Sequence, residues 1–282
     1  MNPRQPLPSL ADKVVLVTRP AHQSAGMLGL LEQAGAKPLA FPCIEITGIK
    51  LNDALKQQLV SLKTADLLIF ISTNAVQYAC RLLDKAGVGI ETISAQVAVI
   101  GKATRRAAQQ AGFCLISDHT ASKQTDSGLK KSFNSDALLQ RPELQGARIN
   151  AKKAAIIRGV GGLQQLGDTL LQRGARVEYI EVYRRGPPQQ DIAIQRQQLS
   201  CHWDEMNIHA VSVTSNESLQ NLYDMLEPPG RDEMLKSALI VPSNRCMLLA
   251  QSMGFESIRV AESASDTHML DALVYVLAEV NR

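Results

Sequence analysis

The amino-acid sequence predicts an α/β fold made of two Rossmann-like or flavodoxin-like lobes with parallel sheets. Two observations support this class: short apolar runs alternate with amphipathic segments along the chain, and the two halves of the chain resemble each other. Runs of four or five apolar residues are typical of strands covered on both faces, as in parallel sheets. The length of 282 residues suits two units, because domains usually contain about 100–150 residues.

Six apolar runs mark the predicted strands, and each is followed by a polar turn and a helical pattern. They are VVLV (14–17), LLIFI (67–71), VAVI (97–100), AAII (154–157), AVSV (210–213) and ALIV (238–241). The predicted helices between these strands have residues typical of helix ends. Ser72, Thr73 or Asn74 can cap the helix that follows the second run, and Gly112 and Gly254 are typical of helix C-termini.

Two pairs of matching sequence segments indicate that the lobes share one architecture. ISTNAV (71–76) matches VTSNES (213–218), and EQAGAKPLAF (32–41) matches LQRGARVEYI (171–180). The interval from Asn74 to Gly112 also equals that from Asn216 to Gly254. This is a weak internal duplication, much longer in period than a solenoid repeat.

Four segments are predicted to lie outside this repeating pattern. The stretches 41–49 and 182–190 are predicted to be extended crossings between the lobes, and Pro187–Pro188 ends the second. The polar segment 118–134 is predicted to be a surface loop. The Pro-rich amino terminus lacks a continuous apolar region, so we expect a ragged tail there and not a signal peptide.

Composition indicates a cytoplasmic protein that binds neither nucleic acid nor membrane. The 30 Lys and Arg residues nearly balance the 27 Asp and Glu residues. The net charge is therefore too small to attract the protein to nucleic acid or to an anionic membrane surface. No apolar run approaches the roughly 20 residues that span a bilayer. The five cysteines are odd in number and scattered, as expected for reduced thiols, and neither they nor the histidines show metal-ligand spacing. We expect no metal.

Four turns after predicted strands carry hydroxyl or amide groups at a helix start. They are Ser72-Thr73-Asn74, Gly101-Lys102-Ala103-Thr104, Thr214-Ser215-Asn216 and Ser243-Asn244-Arg245. Open parallel sheets bind ligands beyond the carboxyl ends of their strands, and helix N-termini favour anions. The turns therefore predict an anion site in a cleft between the lobes. The alternative is that each turn only caps its helix.

The turn Gly159-Val160-Gly161-Gly162 follows a predicted strand and opens a helix. A dinucleotide fingerprint would need glycine at position 164, where this chain has Gln164, and no P-loop is present. The turn therefore predicts backbone N–H groups close to an acidic ligand, with no bound cofactor. A nucleotide-dependent enzyme remains an alternative that Gln164 disfavours.

Basic residues cluster at the same predicted strand ends. They are Arg19, Lys102 with Arg105 and Arg106, Arg158, and Arg184 with Arg185. Several cations that converge from different strands suit a ligand with many carboxylates. Four of these residues could each equally be a solvated surface charge: Arg105, Arg106, Arg184 and Arg185.

An ordered set of words resembles the uroporphyrinogen-III synthase family, the enzymes that close the tetrapyrrole ring. The words are VTRP (17–20), FISTNAV (70–76), VIGKATRRAAQQAGF (99–113), SDALLQRPEL (135–144), IIRGVGGLQQLGDTLLQRGARVEYIEVYRR (156–185) and VTSNESL (213–219). The resemblance covers nearly the whole chain. No single word is specific, and the segment 156–185 carries most of the weight.

The resemblance implies a discontinuous first lobe, residues 1–43 and 187–282, and a second lobe, residues 47–183, joined by linkers at about 41–49 and 182–190. It implies a hydro-lyase that acts on hydroxymethylbilane, a linear tetrapyrrole with eight carboxylates. The ring A hydroxyl leaves as water, the substituted carbon of ring D attacks through a spiro intermediate, and the ring closes with ring D inverted. The resemblance implies no cofactor, a monomer, and a transient hand-over from the bilane-producing deaminase.

The resemblance also implies roles for individual residues. Tyr183 is the candidate for assisting departure of the hydroxyl, although it could instead be a linker aromatic that packs on its lobe. Thr104 is a candidate substrate contact and not a proton donor. With the turns and cations above, the predicted substrate-binding set is Arg19, Ser72, Thr73, Asn74, Gly101, Lys102, Thr104, Arg158, Gly159, Gly161, Gly162, Thr214, Ser215, Asn216, Ser243, Asn244 and Arg245.

Three departures from the family pattern stand out: Leu163 after the paired glycines, Arg105 after the threonine, and the turn Pro242-Ser243-Asn244-Arg245 in the second half. They leave open a second class of function. The chain could be a catalytically silent two-lobed module that binds a tetrapyrrole or another polyanion.

Overall fold

The structure is a computed structural model that describes residues 10–116, 135–162, 164–188, 193–201, 203 and 205–279. The predicted loop 118–134, most of the predicted amino-terminal tail and Leu163 lie outside the described residues. The chain divides into two compact units: unit 1 contains the residues up to Ile46 and from Gly186 onward, and unit 2 contains Thr47–Arg185. The predicted α/β class with a discontinuous first lobe is confirmed.

The described strands and helices alternate along the chain. The strands are β1 Val14–Val17, β2 Lys37–Ala40, β3 Glu45–Gly48, β4 Leu67–Phe70, β5 Gln96–Val99, β6 Lys153–Gly159, β7 Arg176–Gly186, β8 Ile208–Ser212, β9 Ala238–Val241 and β10 Ile258–Val260. The helices are α1 Ala21–Gln33, α2 Asp53–Ser61, α3 Thr73–Ala86, α4 Lys102–Gln110, α5 Ser135–Leu139, α6 Gly146–Ile149, α7 Gln165–Gln172, α8 Ala193–Cys201, α9 Asn216–Met225, α10 Pro228–Lys236, α11 Asn244–Met253 and α12 Asp266–Glu279.

Unit 1 is built on a sheet with the strand order β10-β9-β8-β1-β2, in which neighbouring strands are parallel. Side chains alternate between two cores. Leu16 packs in one apolar cluster, with Trp203 among others, whereas Val15 and Val17 pack in another with Met27. This alternation is the two-residue period of a strand, and it explains why VVLV is apolar throughout.

Unit 2 is built on a second sheet with the strand order β3-β7-β6-β4-β5. The pairs β5–β4, β4–β6 and β6–β7 are parallel. Strand β4 is buried on both faces: Leu67 and Ile69 join the cluster around Leu170, and the ring of Phe70 lies 4.9 Å from that of Phe113 between centroids. The strands at the centre of both sheets thus have the covered, parallel form that the apolar runs predict.

Both predicted crossings contain paired strand in the described residues. Strand β3 occupies much of the first, and the Ile49 N–H donates to the Val182 carbonyl oxygen at 3.1 Å. Strand β7 is 11 residues long and extends to Gly186, inside the second. In the part of the chain that the structure describes, no helix combines the length and apolar character needed to cross a membrane.

Candidate functional site

The strand ends of unit 2 gather predicted residues at one edge of its sheet. Phe70 of β4 lies opposite Val99 of β5 and Ile157 of β6, and Gly159 lies opposite Tyr183 of β7. Because these strands are parallel, the turns that follow them leave at the same edge, which we call the unit 2 carboxyl edge. The predicted residues on it are Ser72, Thr73, Asn74, Gly101, Lys102, Thr104, Arg158, Gly159, Gly161, Gly162 and Tyr183.

Tyr183 is held firmly at this edge, with only 8% of its surface exposed. Its ring lies directly over Gly159, where a β-carbon would stand 2.6 Å from the ring atom Cε2. The ring of Tyr78 stacks on it, with centroids 5.8 Å apart and 27° between the planes. Its hydroxyl lies 3.2 Å from Ser72 Oγ. Tyr183 thus packs on its own unit and also directs a hydroxyl to the carboxyl edge.

Ser72 caps helix α3, as the local sequence predicts. Its backbone is extended, and its Oγ accepts the Ala75 N–H at 3.1 Å. Thr73 and Asn74 form the first turn of the helix and are half-buried. Capping and contact with Tyr183 therefore coexist at one hydroxyl.

The turn before helix α4 differs from the Ser72 turn in how its helix begins. Gly101 has φ of +94°, a left-handed conformation that favours glycine. Among the described residues, no side chain caps the N-terminus of α4. Lys102 is exposed there, and Thr104 is 4% exposed, with its Oγ1 facing the position of a Gly101 β-carbon at 3.6 Å. A helix start without a side-chain cap, next to a lysine, is suited to an anion.

The N–H groups of the glycine turn, Gly159–Gly162, are used within the chain. The Val160 N–H donates to the Tyr183 carbonyl oxygen at 2.9 Å, and the Gly162 N–H donates to the Gly159 carbonyl oxygen at 3.4 Å. The Gly161 N–H donates to Glu181 Oε1 at 3.3 Å. The Gly161 N–H therefore has the chain's own Glu181 as its acceptor, and the external acidic ligand at this turn stays a prediction.

Arg158 is part of the same cluster and is almost fully buried. Its Nη2 donates to Glu181 Oε1 at 3.1 Å, and its Nη1 donates to the Gly162 carbonyl oxygen at 2.8 Å. Its guanidinium lies 3.9 Å from the centre of the Tyr179 ring, whose hydroxyl donates to the Gln164 carbonyl oxygen at 3.1 Å. Burial raises the pKa of Tyr179, so its hydroxyl stays protonated. These contacts of Arg158 hold the glycine turn in its conformation.

The strand ends of unit 1 form a second edge, the unit 1 carboxyl edge. Val17 lies opposite Ser212, which in turn lies opposite Ile240. The turns that follow β1, β8 and β9 therefore leave the sheet together. They bring these predicted residues to that edge: Arg19, Thr214, Ser215, Asn216, Ser243, Asn244 and Arg245.

Two serines of the unit 1 edge are helix caps. Ser215 Oγ accepts the Ser218 N–H at 3.0 Å, and Ser243 Oγ accepts the Cys246 N–H at 3.4 Å. Thr214, Ser215 and Asn216 are half-buried, whereas Ser243, Asn244 and Arg245 are exposed. Burial raises the pKa of the Cys246 thiol to about 11, which keeps it protonated at neutral pH.

Arg19 is engaged within unit 1. Its Nη2 lies 2.8 Å from Asp266 Oδ1 and donates to the Ala264 carbonyl oxygen, at the start of α12. Next to it, Thr18 is fully buried and its Oγ1 donates to the Ser212 carbonyl oxygen at 2.9 Å. Arg19 thus links the end of β1 to a helix N-terminus through a carboxylate.

Sequence reasoning missed Tyr78, Glu181 and Asp266. Each is a partner of a predicted residue that lies far from it in sequence or on a neighbouring strand. Only the alternation in EYIEVY (178–183) hints at Glu181, because it puts that residue on the same side of a strand as Tyr179. The described residues contain no group of three His, Cys, Asp or Glu side chains suited to a metal ion.

The fold and the two edges define the class: an α/β protein of two units, each with polar helix starts along the carboxyl edge of a parallel sheet. The family model described as Uroporphyrinogen-III synthase HemD matches residues 26–271. The chain is 33% identical over 260 residues to the uroporphyrinogen-III synthase of Escherichia coli K12, covering 92% of this chain and 99% of that one. The chain therefore belongs to the uroporphyrinogen-III synthase family.

Further relatives agree with this result. The uroporphyrinogen-III synthase of Salmonella typhimurium LT2 is 32% identical over 92% of this chain and 99% of its own length. Two crystal structures share the fold: a mutant uroporphyrinogen III synthase from Thermus thermophilus, with a TM-score of 0.59 and 17% identity over 95% of this chain and 99% of that one, and the Helicobacter pylori enzyme, with a TM-score of 0.57 and 15% identity over 94% and 99%. The predicted family is confirmed.

Proposed function

We propose that this member of the family is an active lyase that converts hydroxymethylbilane to uroporphyrinogen III with loss of water and inversion of ring D. The observation that carries the proposal is the Tyr183 hydroxyl, fixed against Ser72 at the unit 2 carboxyl edge, the edge at which α4 begins without a side-chain cap. A positioned proton donor next to a site for an anion is the combination that this dehydration needs.

Tyr183 is the catalytic residue of the proposal. Its hydroxyl gives a proton to the ring A hydroxyl oxygen, the C–O bond breaks, and the electron pair leaves with the water formed. The substituted carbon of ring D then bonds to the ring A methylene carbon, which gives the spiro intermediate. In it, the bond between that ring D carbon and the methylene bridge to ring C breaks, and the bridge carbon bonds to the other α-carbon of ring D, so that ring D is inverted. As the ring closes, the macrocycle loses one proton, which restores the phenol, so the overall change is loss of one water.

Several groups are suited to the eight carboxylates. In unit 2 they are the first-turn residues of α3 and α4: Thr73, Asn74, Lys102 and Thr104. In unit 1 they are Thr214, Ser215, Asn216, Ser243, Asn244 and Arg245. Arg158, Arg19 and the glycine turn support the shape of the edges, because their charges and N–H groups meet partners within the chain. Fixing the bilane in one folded conformation favours attack by the ring D carbon that gives inversion.

The proposal also covers the oligomeric state, the compartment, the cofactor requirement and the supply of substrate. The protein acts as a monomer in the cytoplasm, without a cofactor. Because the bilane also closes unaided to the uninverted isomer, rapid hand-over from the bilane-producing deaminase limits that loss. Sedimentation of the purified protein alone and with the deaminase measures both the oligomeric state and the hand-over complex.

The isomer ratio tests the activity. Purified protein is coupled to a bilane-producing deaminase, and the oxidised products are separated into types I and III, with heat-denatured protein as the control. An active synthase shifts the product to type III. Type I product alone would overturn the proposal. If the protein then still bound uroporphyrin, the catalytically silent binding module, which the Pro242–Arg245 turn favours, would take its place.

Removal of the Tyr183 hydroxyl tests the mechanism. Tyr183→Phe keeps the ring that packs on Gly159 and Tyr78, so we expect the fold to persist. The rate of type III formation is expected to fall by about 10²-fold or more, the usual contribution of a positioned acid. A variant with the wild-type rate would remove Tyr183 from the mechanism.

A further inference from the structure

The Ser72 hydroxyl has two contacts of different kinds. Its oxygen accepts the Ala75 N–H at 3.1 Å, which caps helix α3, and it lies 3.2 Å from the Tyr183 hydroxyl. A serine hydroxyl carries one hydrogen and two acceptor positions. Because the N–H occupies one acceptor position, the serine hydrogen is available to the Tyr183 oxygen.

The neighbours of Tyr183 keep its oxygen in this position. The strand order β7-β6-β4 places one strand between Tyr183 and the turn of Ser72. The ring spans that strand at Gly159, the one residue type that leaves it room, and Tyr78 covers the ring by stacking. The Ser72–Tyr183 contact therefore joins two well-supported side chains and is not a chance meeting of mobile groups.

The direction of this hydrogen bond matters for catalysis. If Tyr183 donated to Ser72, its own hydrogen would point away from a substrate. If Ser72 donates, the phenol hydrogen is turned elsewhere, and the same bond stabilises the phenolate that remains once the proton has left.

We propose that Ser72 is a positioning residue that donates its hydroxyl hydrogen to Tyr183 and so directs the phenol proton to the departing hydroxyl. The proposal rests on the proposed function of Tyr183. It assigns Ser72 a role through Tyr183, in place of the direct contact with a substrate carboxylate that the sequence predicted. No group other than the phenol transfers a proton in this step.

Three substitutions at Ser72 separate donation from capping. Ser72→Ala removes both, Ser72→Thr keeps both, and Ser72→Asp keeps the cap acceptor but, when ionised, has no hydrogen to donate. We expect kcat for type III formation to fall about 10-fold to 100-fold in the Ala and Asp variants, with KM within about twofold, and to recover in the Thr variant.

Asn52→Ala is the matched control. Asn52 caps helix α2 of the same unit by accepting the Leu55 N–H at 2.8 Å, and it lies outside the proposed site. The control loses one helix cap, as Ser72→Ala does, and we expect it to keep the wild-type kcat. If Ser72→Ala does not fold, Ser72→Asp carries the test, because its helix cap is retained.

Double variants decide whether Ser72 acts through Tyr183. In the Tyr183→Phe background, Ser72→Ala is expected to cause no further fall in kcat. A full additional fall would overturn the proposal and indicate direct contact with substrate, as would a rise in KM with unchanged kcat. Wild-type kcat in Ser72→Ala would also overturn it. Wild-type protein that gives only type I product contradicts the proposed function itself, which separates the two failures.

Discussion

Gly159 is the residue on which the position of the catalytic tyrosine depends. A β-carbon there would lie 2.6 Å from Cε2 and 2.7 Å from Cζ of Tyr183, closer than any van der Waals contact. We expect Gly159→Ala to push the ring away from Ser72, to lower the rate of type III formation at least 10-fold, and to cost about 1–3 kcal/mol of unfolding free energy. Isomer assays and urea unfolding measure the two effects.

Gly29→Ala is the control for Gly159→Ala, and we expect it to change the unfolding free energy in the opposite direction. Gly29 lies inside helix α1, and nothing stands within 4 Å of the position of its β-carbon. Gly29→Ala should leave the reaction unchanged and raise the unfolding free energy by up to about 1 kcal/mol, since alanine favours helices. If Gly159→Ala also left the reaction unchanged, Tyr183 would not need its present position.

Glu181 is the residue that compensates the buried charge of Arg158. Its Oε1 accepts from Arg158 Nη2 and from the Gly161 N–H. Glu181→Ala removes both of these bonds, one of them to a buried guanidinium, so we expect a loss of about 1–3 kcal/mol in urea unfolding. The exposed pair Arg196–Glu227 is the control, where Arg196→Ala should cost less than about 1 kcal/mol. Equal losses in the two variants would contradict a special role for Glu181.

Among the elements, the strands differ in how far the sequence predicts them. Of the strands that the structure describes, β1, β4, β5, β6, β8 and β9 coincide with the six apolar runs, because burial on both faces requires apolar side chains throughout. Strands β2, β3 and β10 contain no buried residue, and β7 contains only three among its 11 residues. An exposed face admits polar side chains, which removes the continuous apolar signal.

The candidate site depends on strand order and register, which local patterns do not contain. Ser72 and Tyr183 were both predicted as site residues, since each follows or ends a strand. Their contact needs the order β7-β6-β4, and the pairing of Arg158 with Glu181 needs the register of β6 against β7. That register shifts between Arg158 and Gly159. The sequence therefore predicts which turns form the edge but not which side chains meet there.

The pairing of β1 with β8 depends on a neutral histidine. The register of this pair shifts between Val14 and Val15, and the Val14 N–H donates to His209 Nδ1 at 3.2 Å. Burial lowers the pKa of His209, and the charge of Lys13 lowers it further. Below a pH of about 6.5 the unfolded chain takes up a proton that the folded one resists, so stability falls as pH falls.

A pH series of urea unfolding from 5.5 to 7.5 measures this effect. His209→Asn, whose amide oxygen can accept the same N–H at any pH, should lose less stability towards acid than the wild type. His22 is exposed, and His22→Asn should follow the wild-type curve. If the His209 and His22 variants gave identical slopes, the acid sensitivity would belong to other groups.

At the scale of the whole molecule, unit 2 is continuous in sequence and unit 1 is not. The discontinuity was predicted only through resemblance to the family, because composition and periodicity do not show which strand returns to which sheet. The predicted cleft between the lobes stays a prediction. Continuity gives unit 2 a property of its own: the sheet β3-β7-β6-β4-β5 and the cluster around Leu170 lie within residues 45–186.

We therefore expect a fragment of residues 45–186 to fold alone. It keeps every strand of its sheet and the Ser72–Tyr183 contact, so its far-UV circular dichroism should show a single cooperative urea transition. A shorter fragment, 45–172, lacks β7, which lies between β3 and β6, and should unfold without cooperativity.

The longer fragment should leave the isomer ratio at type I, because the turns of unit 1 are absent from it. A noncooperative transition in the longer fragment would mean that unit 2 depends on unit 1 for its core, whereas type III product would mean that unit 1 has no part in the reaction.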